Sequence, residues 1–185
     1  MKKDNYLFKS ERLGFRNWKN EDLDEFIKLN SDDKVMEHFP KTLSKNETVK
    51  LFDKLKNHFT VYGFTYYATE ILKTKELIGM IGLAHQVYKS PYTPAIDIGW
   101  RLKKNIWGKG YATEGAKRCL EYAFTELGIN TVIAVCTLKN LKSGNVMKKI
   151  GMIKKGVFNH PKMVNHPQYQ EHYCYEIMKN QFIPE

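Results

Sequence analysis

The eleven residues NIWGKGYATEG, Asn105 to Gly115, constrain this chain more than any other stretch. Ahead of them Ile96, Ile98, Trp100 and Leu102 alternate with Asp97, Gly99 and Arg101, the period of a strand with two unlike faces. Behind them Ala112, Ala116, Cys119, Leu120, Ala123 and Leu127 repeat as one apolar helical face, which Gly128 ends. The corner between strand and helix must therefore be turned at Gly108 and Gly110, where glycine permits positive φ and lets another molecule approach the main chain. Two readings follow. One is a tight turn and nothing more; in the other, the free N–H groups of the helix start receive an anion, above all phosphate.

The flanking sequence predicts a mixed α+β fold. Tyr6–Arg16 reads as a strand, and Asn20 as the cap of an acidic helix start, EDLDEF. Ser44 and Glu47 form a capping-box pattern before a helix with Val49, Phe52, Leu55 and Phe59 on one stripe. Phe64–Leu72 and Glu76–Ala84 read as a hairpin about the polar turn Lys73-Thr74-Lys75. Thr131–Thr137, with the run Val132-Ile133-Ala134-Val135, has the continuous apolarity of a strand covered on both faces. A short helix over Asn140–Ile150, closed by Gly151, and two strands, Met152–Phe158 and Tyr173–Met178, complete the order. No repeat, low-complexity run or linker interrupts it, so one domain over residues 1–185 is expected.

Several functions are excluded at this level. A dinucleotide fingerprint wants a third glycine where Thr113 stands, and a P-loop wants lysine and a hydroxyl where Tyr111-Ala112 stand. His160, His166 and His172 recur at equal steps near Cys174, but Pro161 and Pro167 forbid a helix and no zinc-site spacing is present, so no metal is expected. A polar loop near a cleft is the simpler reading, with His160 or His172 open as a proton relay. Cys119, Cys136 and Cys174 are odd in number and widely spaced, which suits reduced, mostly buried thiols. The opening MKKDNYLFKSERL lacks the apolar run of a leader, and no stretch is long enough to cross a bilayer; a cytoplasmic location is expected. Thirty basic against twenty acidic side chains give a net charge of +10, which favours a polyanionic partner: nucleic acid, an acidic protein or a phosphorylated cofactor.

WGKGYATEG resembles the acetyl-coenzyme A pyrophosphate loop of the GNAT superfamily of N-acetyltransferases. SERLGFRNW, IDIGWRL and NLKSGNVMKKIGM agree in order with it and resemble the RimJ/RimL-like branch, whose named members acetylate N-termini of ribosomal proteins. The resemblance implies a mixed, mostly antiparallel sheet of six to seven strands with helices on both faces, splayed between its fourth and fifth strands. It also implies acetyl-CoA as co-substrate, held by Trp100, Arg101, Leu102, Trp107, Gly108, Lys109, Gly110, Tyr111, Ala112, Asn140 and Ser143. The family motif opens with Gln or Arg where Asn105 stands here, but a backbone cradle at Trp107 to Tyr111 does not depend on that side chain. Lys103, Lys104, Lys109, Lys139 and Lys142 are available as diffuse positive charge.

In the family an amine attacks the thioester directly, with a backbone N–H near Trp100 as oxyanion donor. Many members place a tyrosine as proton donor where this chain has Met147, which cannot donate. Ser143 matches the serine of the RimJ/RimL-like pattern and is read either as thiolate donor or as a capping or solvated serine. Asn140 is read either as a pantetheine contact or as a helix N-cap. Glu70 and Asp97 are the candidate bases, each with an ordinary exposed carboxylate as its alternative. The expected function is acetyl transfer to a primary amine, a peptide N-terminus or a small amine, with no membrane or nucleic-acid partner and with room for a homo-oligomer. A basic RNA- or ribosome-docking module on the same fold is the alternative.

Overall fold

The computed structural model describes residues 5–184; Met1–Asp4, part of the segment read as leaderless, lie outside them. Among the described residues eight strands are present: β1 (Phe8–Lys9), β2 (Leu13–Arg16), β3 (Tyr66–Ile71), β4 (Leu77–Gln86), β5 (Ala95–Leu102), β6 (Thr131–Thr137), β7 (Ile153–Asn159) and β8 (Glu171–Met178). They form one sheet in the order β1-β2-β3-β4-β5-β6-β8-β7. Every neighbouring pair is antiparallel apart from β5 and β6, which run parallel. The architecture is the expected one, with a strand more than the six to seven read from the sequence.

The extra strand comes from Tyr6–Arg16, which is a hairpin and not one strand. Phe8 pairs with Phe15 and Lys9 with Gly14 across a turn at Ser10–Arg12. Ser10 closes that turn with both backbone and side chain, its hydroxyl accepting from the Leu13 N–H at 3.1 Å.

Among the described residues four α-helices flank the sheet: α1 (Leu23–Ser31), α2 (Lys45–Tyr62), α3 (Tyr111–Thr125) and α4 (Leu141–Lys149). Trp18, Phe26, Leu29, Phe52 and Leu55 bury the α1/α2 side against Ala68 and Met80. On the other face Ala116, Cys119, Leu120, Ala123 and Phe124 of α3 pack on Leu13, Phe15, Tyr67, Ile81, Leu83 and Ile98. Gly115 permits this approach, since a Cβ there would stand 2.4 Å from the Ile81 side chain. The capping box of α2 is present, with Ser44 Oγ accepting from the Glu47 N–H at 3.3 Å and Glu47 accepting from the Ser44 N–H at 2.9 Å. Asn20 does not cap α1. It lies inside a short 3-10 turn, Asn20–Asp22, and its Oδ1 accepts from Lys56 Nζ; Asp22 is the N-cap position. The three cysteines are free and buried. Among the described residues no helix is long and apolar enough to cross a membrane.

Candidate active site

The parallel neighbours β5 and β6 join at a single ladder pair, Asp97 with Ile133. Past it the strands part, leaving Ile98–Leu102 facing Val135, Cys136 and Thr137 across a cavity of about 870 Å³. Such a split leaves backbone groups of two central strands unpaired inside the sheet, where they need a partner.

One half of the cavity is built from contiguous backbone. The Trp107 indole N–H donates to the Leu102 carbonyl at 2.8 Å, anchoring the loop to the end of β5. Gly108 and Gly110 then adopt φ of 78° and 83°, a region that strains any residue with a Cβ. Gly110 is the N-cap of α3 and brings no side chain to the helix start, so the first N–H groups at Tyr111, Ala112 and Thr113 are left for a ligand. All three residues line the cavity, as do Trp100, Arg101, Leu102, Trp107, Gly108 and Gly110. Lys109 points elsewhere and does not line it; its carbonyl accepts from Arg12 Nη1 at 3.1 Å. Across the gap, α4 contributes Asn140, Ser143 and the buried Met147. Asn140 Oδ1 accepts from the Ser143 N–H at 3.0 Å, so Asn140 is the N-cap of α4. Lys142 reaches the cavity with its ammonium 4.5 Å over the Trp107 ring. Lys103 is engaged elsewhere, by Glu25 at 2.9 Å and Glu76 at 3.5 Å, which removes it from the expected lysine cluster.

A clamp that sequence reading missed holds this loop. Glu114, in the first turn of α3, accepts from Ser10 Oγ at 2.7 Å, the Arg12 N–H at 2.8 Å and Arg12 Nε at 2.6 Å. The Arg12 guanidinium also lies 4.5 Å over the Tyr111 ring. The turn that breaks the first strand is thus the one that fixes the glycine loop.

Residues 12–153 match the family model described as an acetyltransferase (GNAT) domain. The chain belongs to the GNAT acetyltransferases. It is 31% identical over 174 residues, 94% of its length and 97% of the relative's, to an uncharacterized N-acetyltransferase, YnaD, of Bacillus subtilis. Among solved structures, a GNAT-family acetyltransferase from Bacillus anthracis has 28% identity and a TM-score of 0.76, with 93% of this chain and 98% of that one covered. Spermidine N-acetyltransferase from Vibrio cholerae, solved with CoA and spermine, shares the fold at a TM-score of 0.72 and 21% identity, covering 92% and 97% of the two chains. As a GNAT N-acetyltransferase this chain is an acetyl-CoA-dependent acyltransferase.

The other half of the GNAT cavity is assembled from side chains of separate segments. Asp97, on β5, is 6% exposed and lines it. Tyr66 Oη donates to Asp97 Oδ1 at 2.6 Å, and Gln86 Nε2 donates to Tyr66 Oη at 3.3 Å. Burial raises the Asp97 carboxyl to about 6, against the pull of these bonds and of Lys162. The exposed-carboxylate alternative for Asp97 is therefore set aside. His160 and His172 line the same region with ring centroids 4.9 Å apart, whereas His166 stays out. Burial, with His172 and Lys162 beside it, pushes His160 down to about 4, so it is neutral at neutral pH. The His172 Nδ1 lies 3.1 Å from the Gln170 carbonyl; a carbonyl only accepts, so Nδ1 carries the proton and Nε2 is the basic atom.

Glu70 is not in the cavity. It sits on β3 under Arg16, whose Nε donates to Oε1 at 2.7 Å, while Tyr6 Oη donates to Oε2 at 2.5 Å. Arg16 also grips Asp22 through both terminal nitrogens, at 2.6 and 2.7 Å. Glu70 shares its face of β3 with Tyr66 but stands at the far end of the strand, beside β2 and Arg16, and it is Tyr66, four residues back, that reaches Asp97. The structure therefore does not bring Glu70 together with Asp97 as a second base. Among the described residues no cluster of His, Cys, Asp and Glu suits a metal ion.

Proposed function

We propose that the chain transfers acetyl from acetyl-CoA directly to a primary amine, on a peptide N-terminus or a small molecule, as a single domain. The observation that carries this is the open β5–β6 edge, which meets the uncapped start of α3 on one side and the buried Asp97 on the other. The cofactor supplies an acetyl group as a thioester and phosphates for the loop. Backbone N–H groups at the glycine loop and at the helix start, Tyr111, Ala112 and Thr113, would hold those phosphates, with Lys142 as added charge. An open-edge N–H near Trp100 stabilises the negative charge that builds on the carbonyl oxygen under attack.

Asp97 takes the proton that the amine must lose, since only the neutral amine attacks. Its pKa near 6 leaves it ionised at neutral pH yet more basic than an ordinary carboxylate. His172 Nε2 is the second acceptor along the same wall. As the carbon–sulfur bond breaks, the thiolate takes a proton from Ser143 or from water, Met147 being unable to give one. Ser143 fits this part because Asn140 caps through the Ser143 N–H and leaves its hydroxyl free to turn. The resemblance to the RimJ/RimL-like branch favours an N-terminal amine among the acceptors. Thiol release, measured with acetyl-CoA against a panel of peptides, amino acids and polyamines, tests the proposal. Turnover with at least one amine is expected; no thiol release, together with no thermal stabilisation by coenzyme A, would overturn it.

A further inference from the structure

We propose that the acceptor half of the cavity takes a primary amine that also carries a carboxylate, and that Arg101 binds that carboxylate. This rests on the acetyltransferase reading above and narrows its substrate class.

The molecule contains two arginines drawn into its interior, and they differ in one respect. Arg16, 4% exposed, has two carboxylates on its guanidinium, Asp22 and Glu70. Arg101 has none: among the described residues no Asp or Glu oxygen comes within 4 Å of it, and its Nε is buried without an acceptor. What holds Arg101 is neutral. Its Nη1 donates to Asn30 Oδ1, and its guanidinium lies 4.5 Å over the Phe39 ring. Asn30 cannot turn away, because its own Nδ2 donates to the Phe26 carbonyl at 2.8 Å.

A guanidinium withdrawn from water without a counter-charge is costly, and an ionised acceptor at fork distance offsets that cost. The neighbouring carboxylates do not serve. Glu37 is spread between Lys142 at 3.7 Å and His38 at 3.5 Å, and Asp97 takes the Tyr66 hydroxyl.

The placement of Arg101 decides whose carboxylate it awaits. Asp97, Gly99 and Arg101 lie at alternate positions of β5 and share one face, so the Asp97 and Arg101 Cα atoms are about 13 Å apart. Gly99, between them, brings no side chain, and the Tyr66 ring fills the space above it, 3.0 Å from where a Cβ would stand, so Asp97 and Arg101 are both reached from the cavity that Tyr66 also lines. Trp100 and Leu102 point to the opposite face, toward the glycine loop. Cofactor phosphates on that loop are therefore on the far side of the strand from Arg101. A molecule in that cavity, passing the Tyr66 ring, meets a base at one end and a free cation at the other, which is the charge pattern of an amino acid.

The test compares matched amines that differ in a carboxylate: phenylalanine with phenethylamine, tyrosine with tyramine, lysine with cadaverine. Thiol release gives kcat/KM for each, and calorimetry with coenzyme A present gives binding of the corresponding N-acetyl products. The carboxylate-bearing member is expected to win by about ten- to a hundred-fold in both readouts, the range for removing a charge-assisted hydrogen bond from a buried site. Arg101→Gln should bring the ratio near one, and Arg101→Lys should restore part of it. A ratio near one in the wild-type protein, which needs no variant to fold, would overturn the carboxylate site while leaving acetyl transfer intact. So would an Arg101→Gln protein whose loss falls on coenzyme A affinity. If no amine gives thiol release, the acetyltransferase reading fails, and the product-binding ratio alone decides the carboxylate site.

Discussion

The two halves of the cavity are made in opposite ways. The cofactor side, as proposed, is almost all main chain: Gly108, Gly110 and the start of α3 come from one short run, and N–H groups are what they offer a ligand. The acceptor side is all side chain: Tyr66 from β3, Asp97 and Arg101 from β5, Phe39 from the segment after α1, His160 and His172 from the last loop and strand. Main-chain recognition leaves a mark in sequence because it forces glycine and turn spacing. Side-chain recognition leaves none until the fold brings distant residues together. It is also the half that can be altered without disturbing the other, which fits a family that keeps one cofactor and varies its acceptors.

That contrast can be broken by substitution. The largest effect is expected from Asp97→Asn, which should lower kcat/KM by about 10²–10⁴-fold as a lost general base, with coenzyme A affinity little changed. In the wild-type protein kcat/KM should rise with pH through about 6, and that inflection should vanish in the variant. The stability sign runs the other way. The folded carboxyl holds its proton more tightly than the unfolded one, so its contribution falls as pH climbs from the ordinary carboxylate range to about 6. Above that pH Asp97→Asn should melt higher than wild type while turning over more slowly, a pairing that a merely structural aspartate would not give.

Next comes Gly110→Val, which places a β-branched side chain at φ 83°. It should weaken coenzyme A by about a hundred-fold or more and abolish its thermal stabilisation, because the loop would have to reshape to relieve the strain. An unchanged melting shift would take the loop out of the site. Ser143→Ala should cost about ten- to a hundred-fold in kcat with little change in cofactor affinity, and wild-type turnover across the pH range would show that water protonates the thiolate. Glu70→Gln should be smallest in catalysis, leaving kcat near wild type. It should instead lower stability by roughly 1–3 kcal/mol, since it takes a charged partner from Arg16. A large kcat loss without a melting change would make Glu70 a base again.

Reading of the fold from sequence succeeds where one period dominates. The alternation at Ile96–Leu102, the α3 stripe and the Ser44/Glu47 box all stand as expected. It fails where a side chain far away overrides the local pattern. Tyr6–Arg16 has strand composition throughout, yet Ser10 and Arg12 are turned out to hold Glu114, more than a hundred residues on. Asn20 is a good capping residue, but Asp22 accepts from the Lys19 N–H and moves the helix start along. Glu70 and Asp97 are equivalent in sequence, as acidic residues on strands. What separates them is their place across one face of the sheet and the company each keeps there: Arg16 near the edge for one, Tyr66 in a buried cleft for the other. Arg101 reads in sequence as part of the cofactor edge, and nothing local marks its unpaired charge.

The join of β5 to β6 at one ladder pair bears on how this protein exchanges its amide hydrogens. In an ordinary sheet the outer strands exchange first and the centre last. Here the strands beside the split are central in the order of the sheet, but every second amide from Ile98 to Leu102 and from Val135 to Thr137 turns away from β4 or β8 and borders a cavity. Without ligand the middle of this sheet should therefore be labelled on the timescale of an edge, and coenzyme A should slow it as a missing strand would. A protection map taken with and without the cofactor would then show the sheet's weakest line running through its centre.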